Sequence, residues 1–281
     1  ANEAWSKGEY GATVSKTSEG LEKNEWKEDL WVLQIRALMA QGKYEDALKT
    51  VNEALKKVSR GVRVRLVAHE VFLYNDEPKR AETMLAEINK LAGARAWAYR
   101  NAPDLVSLGR TALKLGADSK LVLKNLFTVA RKKDADYSQV PLAIGELALS
   151  KSDFALAGRT FQLALKKGPK SAELHFGAAR AFAPSDRMVM LGHLQAALSL
   201  NPRHADSRIL LANHLIDVEA YAEAAEQLNK ALEINPSHPE AWAYRSILAH
   251  LQGDEESEKV ARDKALAHWK GNPMVDYLIG C

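Results

Sequence analysis

Histidine is the side chain of this sequence best suited to metal binding or to acid–base chemistry near neutral pH. No two of the eight histidines are four residues apart, as the His-Glu-x-x-His pattern of zinc hydrolases requires. His69-Glu70, the nearest approach to that pattern, is followed by three apolar residues. We therefore interpret the histidines as ordinary surface or interface residues and predict no metal site and no cofactor. The eight are His69, His175, His193, His204, His214, His238, His250 and His268.

The remaining nucleophile patterns are also missing. The single cysteine is Cys281, the last residue, so neither an internal disulfide nor a Cys/His nucleophile pair can form. The sequence has no Gly-x-Ser-x-Gly elbow and no glycine-rich phosphate loop. The residue types and their spacing thus predict a protein that is not an enzyme.

Composition narrows the choice of partner. Lys plus Arg number 39 against 36 Asp plus Glu, a net charge of +3, which is too small for the basic surface of a nucleic-acid-binding protein. No apolar run is long enough to span a bilayer, and the first residues have no signal-peptide pattern. We expect no nucleic acid, no membrane partner and, by default, a cytoplasmic location.

A repeat runs along the chain. Ala-Leu pairs begin at Ala164, Ala197, Ala231 and Ala265, so successive pairs are separated by 33, 34 and 34 residues. Proline follows the first three pairs at a constant distance, which ends a helix. These prolines are Pro169, Pro202 and Pro236.

One unit is a helical hairpin. Between residues 205 and 238 the apolar residues form two runs with helical spacing, separated by a few residues around Glu219 to Tyr221. That separation allows only a tight turn between antiparallel helices. Small residues such as Ala212 and Ala224 lie where the two helices must approach closely.

These units resemble the tetratricopeptide repeat, which has a 34-residue period and a pattern of large, small and aromatic positions that ends in Pro. The resemblance covers essentially the whole chain. One unit shows it at Trp31, Ile35, Leu38, Tyr44, Ala47, Val51 and Ala54. Another shows it at Ile144, Gly145, Ala148, Phe154, Ala157, Phe161, Ala164 and Pro169. It recurs at Leu211, Ala212, Leu215, Tyr221, Ala224, Leu228, Ala231 and Pro236, and at Trp242, Ser246, Ala249, Gly253 and Ala265.

The resemblance implies an all-α fold, a right-handed superhelical α-solenoid of stacked antiparallel hairpins. We predict one solenoid over residues 1–281, with about seven full repeats and a half repeat at each end. Residues 93–103 do not fit the period and are predicted to be an insertion or a longer turn. The repeats are placed at 28–61, 62–95, 102–137, 138–170, 171–204, 205–238 and 239–272.

Several units depart from the pattern. The second has Pro78 in its turn and Ile88 at a small position. The third has Leu121 and Thr128 at its two small positions. The fifth replaces the usual turn with Ala183-Pro184-Ser185-Asp186, in which Ser185 or Asp186 is expected to cap the next helix.

Both ends stop within a unit, so we expect the chain to be a piece of a longer polypeptide. At the C-terminus, Tyr277 to Gly280 stand where the repeat places core residues, and no polar capping helix follows. Uncapped apolar ends favour self-association. The pattern is also similar to tetratricopeptide segments of large bacterial proteins that sometimes carry a metallopeptidase-like region downstream.

Two further sets of residues have competing interpretations. Basic runs such as Arg131-Lys132-Lys133 suggest a phosphate-binding stripe, but each falls in the last turn of a helix, where cations offset the macrodipole. Trp31 and Trp242 occupy the core position of the repeat. The off-pattern tryptophans are candidate contacts, and they are Trp5, Trp26, Trp97 and Trp269.

In this family the inner wall of the superhelix is lined by the first helix of each unit and is the usual binding surface. The ninth residues of the first four full units alternate in sign, which predicts ion pairs between neighbours and an N-terminal groove that is electrostatically satisfied. The wall does not match the members of the family that clamp acidic chaperone tails. The four residues are Arg36, Glu70, Arg110 and Glu146.

The C-terminal half of the wall is less charged and more apolar. We predict that it binds a peptide or helix of a protein partner in the concave groove. The competing interpretation is that these residues serve only packing between repeats. The alternative function is a regulatory or substrate-presenting arm of a larger enzyme. The candidate residues are His175, Phe182, Ile209, Asn213, Ile216, Asp217, Ile247 and His250.

Overall fold

The computed structural model describes residues 1–168 and 170–280, so the repeat proline Pro169 and the terminal Cys281 lie outside the described residues. Within those ranges the chain contains helices and turns and no strand. The first helices are α1 (Asn2–Ser6), α2 (Tyr10–Lys23), α3 (Glu28–Ala40), α4 (Tyr44–Lys57), α5 (Val62–Leu73), α6 (Pro78–Ala94) and α7 (Ala102–Lys114). A 3₁₀ turn, Ala96–Ala98, lies between the last two.

The next helical stretch is composite, with α8 (Ser119–Val122), a π-helical segment (Leu123–Phe127) and α9 (Thr128–Lys133) following one another directly. The remaining helices are α10 (Gln139–Ser150), α11 (Phe154–Lys167), α12 (Ala172–Phe182), α13 (Arg187–Leu200), α14 (Ala205–Asp217), α15 (Tyr221–Ile234), α16 (Pro239–Leu251), α17 (Glu255–Leu266) and α18 (Pro273–Ile279).

Consecutive helices pack as hairpins. The pairs include α3 with α4, α5 with α6, α12 with α13, α14 with α15 and α16 with α17. The first helix of each hairpin also packs on the first helix of the next, as α10 does on α12 and α14 on α16. The predicted all-α solenoid of stacked hairpins is confirmed.

Several hairpin turns contain one residue whose backbone adopts the left-handed conformation, with a positive φ angle. Gly8 and Gly42 do so at φ +75° and +71°, which costs glycine little. Asp76, Ser152 and Glu219 adopt similar angles at the corresponding turns. The helix that follows the turn is often capped by a side chain.

In the fifth full unit the cap is Asp186. Its carboxylate accepts a hydrogen bond from the Val189 backbone amide at 3.0 Å. The sequence left Ser185 and Asp186 as alternatives, and the structure selects the second. An acceptor at this position satisfies a backbone donor that has no partner within the helix.

A large side chain against a glycine sets the distance between helices. Phe161 of α11 is fully buried between Gly145 of α10 and Gly177 of α12. A Cβ atom at Gly145 would lie 2.1 Å from the Phe161 ring, and one at Gly177 would lie 2.5 Å from it. Phe127 packs in the same way against Gly109 of α7. The ring therefore fills the space that the missing Cβ atoms leave.

The small positions predicted for the third unit are wrong. Leu121 is 58% exposed, whereas Val122 and Ala130 are buried on either side of Phe127. The π-helical segment adds one residue to the turn, so the buried face shifts relative to the regular repeat. A strictly helical period cannot anticipate that shift.

The stretch from 93 to 103 is a longer connection. It contains the end of α6, the 3₁₀ turn and the start of α7. Tyr99 folds back into the core and donates a hydrogen bond to the Arg60 carbonyl at 3.0 Å. It packs in a cluster with Ile88, the large residue at a small position of the second unit. Trp97 in the same turn is 69% exposed.

The early turns of the superhelix contact linkers of its later units, and we call this set of contacts the seam. The early turns lie at residues 5–10, 42–44 and 76, and the later linkers lie near residues 201, 235 and 270. The Asn201 amide donates to the Tyr10 hydroxyl at 3.3 Å, and Tyr10 donates to the Arg203 carbonyl at 3.1 Å. The Asn235 amide likewise donates to the Tyr44 hydroxyl at 3.0 Å. The two rungs are one repeat apart and follow the same plan.

The seam also explains two off-pattern tryptophans. The Trp5 indole donates to the Glu173 carboxylate at 3.1 Å and its ring packs on Tyr10. The Trp269 ring packs on Tyr74 at a centroid distance of 5.4 Å, and next to it Lys270 pairs with Asp76 at 2.7 Å. These side chains therefore make contacts within the chain that the repeat pattern does not specify.

Gly145→Ala tests the ring–glycine contact. We expect it to lower the free energy of unfolding by about 1–3 kcal/mol, because the new methyl group overlaps the confined Phe161 ring. Urea unfolding followed by circular dichroism measures the change. Gly192→Ala is the matched control, since a Cβ at this helical glycine meets no atom within 4 Å. The control should stabilise the protein by about 0.5–1 kcal/mol. Equal stabilisation by both changes would contradict the role given to the contact.

Tyr44→Phe tests the seam. Removing the hydroxyl leaves the Asn235 amide with only its longer hydrogen bond to the Met39 carbonyl, at 3.5 Å, and removes the bond that the hydroxyl donates to the Ser237 carbonyl. We expect this loss to cost about 1–3 kcal/mol of unfolding free energy. Tyr221→Phe is the control, because Tyr221 follows the corresponding turn of a later unit and its hydroxyl has no hydrogen-bond partner within the described ranges. The same urea experiment applies. A seam that holds the superhelix closed is excluded if the two variants unfold at the same urea concentration.

Candidate functional site

The N-terminal part of the inner wall contains one of the predicted ion pairs. Arg110 pairs with Glu146 at 3.0 Å, as the alternation of charge predicts. Within the described residues Arg36 and Glu70 do not form such a pair. Burial lowers the pKa of Arg36, and the nearby charge of Arg110 lowers it further. The prediction is therefore confirmed for the later pair and is wrong for the earlier one.

A second arginine links three units of this region. The Arg63 guanidinium pairs with Glu28 at 2.9 Å and with Asp104 at 3.2 Å, and it also contacts Asp29. Burial alone would lower the pKa of Arg63, but the three carboxylates outweigh it and raise that pKa. The alternation of charge in the sequence does not predict this network. Arg63 and Arg110 of this part of the wall are thus engaged by carboxylates of neighbouring units.

Two of the candidate residues, His175 and Phe182, both contact His193. The Nδ1 atoms of His175 and His193 are 3.0 Å apart, and the Phe182 ring stacks on His193 at a centroid distance of 6.0 Å. Phe182 also lies against Gly158 of α11. Its neighbours are thus the second helices of two hairpins, so packing between repeats occupies much of this ring.

Ile209 and Ile216 belong to one core cluster. Ile209 is only 3% exposed, and Ile216 is partly buried against the same residues. Ile209 therefore offers almost no surface to a partner. His250 is exposed and its Nδ1 lies 3.0 Å from the Glu258 carboxylate of α17.

Three candidates are open to solvent. Asn213 and Ile247 are partly exposed, and Asp217 is exposed. Neither the Asn213 carboxamide nor the Asp217 carboxylate has a side-chain partner among the residues that the structure describes. The charge of Asp217 reaches the neighbouring helix α16, where it adds to the effect of burial and of Glu240 in raising the pKa of Tyr244 to about 12.

Tyr244 was not among the predicted residues, and Tyr277 was expected to be a core residue. Tyr277 is instead 83% exposed on α18. Helix α18 packs on α16, the helix that carries Tyr244. The signal was available, because Tyr277 is the fifth residue of the unit that begins at Pro273, a position that the family resemblance assigns to the inner wall.

An acidic and a basic side chain meet beside these residues. Asp206 and His238 are 3.4 Å apart. Burial lowers the pKa of His238, but the hydrogen bond and charge of Asp206 outweigh it and raise that pKa. Burial raises the pKa of Asp206, but His238, His204 and Arg180 outweigh it and lower that pKa to about 2.

No metal-binding cluster is seen in the part of the chain that the structure describes. There is no group of three or more His, Cys, Asp or Glu side chains that could hold a metal ion. Over the same residues, no helix is both long and apolar enough to cross a membrane. The wall offers hydrogen-bonding groups and apolar surface instead.

Comparisons with known proteins agree with this architecture. The family model described as tetratricopeptide repeat matches residues 191–251. A chain in the crystal structure of the APC/C hetero-tetramer Cut9-Hcn1 has a similar fold, with a TM-score of 0.61 and 14% sequence identity. The match covers 98% of this chain and 53% of that one, so this chain spans about half its length. No curated protein matches the sequence.

Asp206→Asn tests the acid–base pair through the pH dependence of stability. The contribution of His238, whose pKa is raised, is present below about pH 6.5 and is lost as pH rises through its folded pKa. The contribution of Asp206 is present above about pH 3.8 and is lost as pH falls towards about 2.

We therefore expect Asp206→Asn to destabilise the protein more at about pH 5.5 than at about pH 9. The Asp206 side chain is 54% exposed, so solvent screens the pair and the difference should be at most about 1 kcal/mol. Urea unfolding at both pH values measures it. Asp217→Asn, at an exposed carboxylate without an ion pair, should show no such difference. A larger loss at the higher pH would show that the pair does not act in this way.

Proposed function

We propose that this chain, whose residues 191–251 match the tetratricopeptide-repeat model and whose fold is a solenoid of helical hairpins, is a non-enzymatic scaffold that binds a peptide or helix of a partner protein. The site is the C-terminal part of the inner wall, which we call the open wall and define as Asn213, Asp217, Tyr244, Ile247 and Tyr277. The fold itself is typical of protein–protein interaction.

The observation that carries the proposal is the contrast between the two halves of the wall. In the N-terminal half Arg63 and Arg110 are engaged by carboxylates of neighbouring units. On the open wall the Asn213 carboxamide and the Asp217 carboxylate have no side-chain partner within the described residues. Polar groups that the chain itself leaves unused are available to a ligand.

The chemistry of the open wall suits a peptide. A carboxamide such as that of Asn213 both donates and accepts, so it can bond the backbone of an extended or helical segment. Ile247 and the exposed Tyr277 ring offer apolar contact, and burying an apolar side chain of the partner there is worth about 1.5–3 kcal/mol. Asp217 favours a segment that also carries a Lys or Arg. His175, Phe182 and Ile209 support the wall from behind rather than contact the ligand.

Peptides selected by phage display on the immobilised protein provide the test. We expect the selected peptides to bind the double variant Asn213→Ala with Tyr277→Ser about tenfold or more weakly than the unmodified chain, because a backbone hydrogen bond and an apolar contact are both lost. Isothermal titration calorimetry measures the affinities. Trp26→Ser is the matched control, since Trp26 is 66% exposed and is not part of the open wall.

A photocrosslinking residue locates the bound peptide directly. Placed at position 247 or 277, it should crosslink to the peptide, whereas at position 163, which is 62% exposed on α11, it should not. If the double variant binds as tightly as the unmodified chain, or if crosslinks form only at position 163, the open wall is not the binding site.

A further inference from the structure

The irregular connection after α6 opens a cavity on another face of the solenoid. The cavity has a volume of about 440 Å³ and lies between the end of α6, the 3₁₀ turn, α7 and the composite helix of α8, the π-helical segment and α9. Leu105, Leu108, Leu126 and Val129 supply apolar surface to it. Its lining comes from α6, the connection, α7 and the composite helix, and it shares no residue with the open wall.

Two cations line this cavity, and others lie close to the lining residues in the sequence. Arg100 and Lys133 are part of its lining, and both are exposed. No Asp or Glu occurs from residue 88 to 103 or from residue 119 to 133. The two stretches contain eight exposed cations, and none of them has an ion pair within the described residues. They are Lys90, Arg95, Arg100, Lys120, Lys124, Arg131, Lys132 and Lys133.

Helix chemistry accounts for only part of this charge. Arg131, Lys132 and Lys133 lie in the last turn of α9, where they offset the macrodipole. Arg95 is the C-cap residue of α6, where a cation also offsets the macrodipole, but Arg100 lies outside the helices and is not explained in this way. The whole chain carries a net charge of only +3, so such a concentration of unpaired cations is a local property of this face. Its position around an apolar cavity indicates a ligand that is both acidic and apolar.

We propose that this cavity, which we call the joint pocket, docks an acidic segment of a partner protein that carries an apolar anchor residue. The anchor, of the size of Leu or Phe, enters the pocket while the flanking carboxylates pair with Arg100, Lys133 and the cations beyond them. A concave pocket of this volume fits one or two side chains. A flat anionic membrane would meet the cations without filling the pocket. Trp97, which follows the lining residue Ala96, is exposed in the same turn.

The probe is a fluorescein-labelled synthetic peptide in which one Leu is flanked on both sides by Glu residues. Fluorescence anisotropy should show binding to the unmodified chain that weakens as salt increases. Replacing the Leu of the peptide by Ser, or its Glu residues by Lys, should reduce the affinity about tenfold or more.

Two sets of variants of the protein complete the test. Arg100→Glu with Lys133→Glu reverses the charge at the rim, and Ala96→Trp fills the pocket; each should weaken binding of the Leu peptide about tenfold or more. Lys166→Glu with Lys167→Glu is the matched control, because it makes the same change of charge at two exposed lysines that end α11. The control should bind the peptide as the unmodified chain does.

Several outcomes would overturn the proposal. If the control variant and the Arg100→Glu, Lys133→Glu variant lose equal affinity for the peptide, the binding depends only on the total charge of the chain. Equal affinity for the Leu and Ser peptides would remove the role of the pocket. Binding to phosphatidylserine vesicles, lost in the rim variant and with no binding of the peptide, would identify an anionic membrane as the ligand instead. The double variant Asn213→Ala with Tyr277→Ser should bind this probe normally, so the joint pocket and the open wall can fail independently.

Discussion

The packing of a phenylalanine ring against glycines determines how closely neighbouring helices of this solenoid approach one another. Phe161, held between Gly145 and Gly177, joins three successive helices through one contact. Phe127 against Gly109 makes the same contact in the preceding hairpin, and stacked hairpins that are each rotated by a similar amount make the chain curve steadily. Curvature of this kind returns the later units to the first ones. The seam is thus a consequence of packing inside the hairpins rather than an independent feature.

The seam in turn limits the inner wall. Its two hydrogen-bonded contacts, Tyr10 to Arg203 and Tyr44 to Ser237, both join residues 193 positions apart. Two successive N-terminal units therefore contact two successive C-terminal units in the same register. Two separate constraints at such a contact require glycine at position 42. Its φ of +71° favours glycine, and a Cβ there would lie 2.2 Å from the Asn235 side-chain oxygen. Burial of this kind raises the pKa of Tyr10 to about 12, so these hydroxyls stay protonated and can donate.

The sequence was sufficient for the fold and insufficient for the contacts between distant units. The period predicts hairpins because it reports contacts a few residues apart, and it fails at Leu121, where a π-helical turn adds a residue without changing the composition. It cannot predict the seam, since the curvature that brings the ends together is not encoded at any one position. From the sequence, Trp5 and Trp269 could be recognised only as tryptophans that do not fit the repeat pattern. On the wall, family positions mark the side of a helix, but burial of Ile209 and exposure of Tyr277 depend on the neighbouring units.

The distribution of unpaired groups separates surfaces that serve the chain from surfaces that are available to others. Where units are regular and charges alternate, as around Arg110 and Glu146, the chain satisfies its own polar groups. Where the repeat is interrupted, at the long connection after α6 or on the last helices, groups remain without intramolecular partners. Regularity alone does not supply a partner, because Asn213 and Asp217 lie in a regular unit and have no side-chain partner within the described residues. Binding surfaces of this solenoid are therefore expected where such groups collect, at the long connection after α6 and on the wall formed by the last helices.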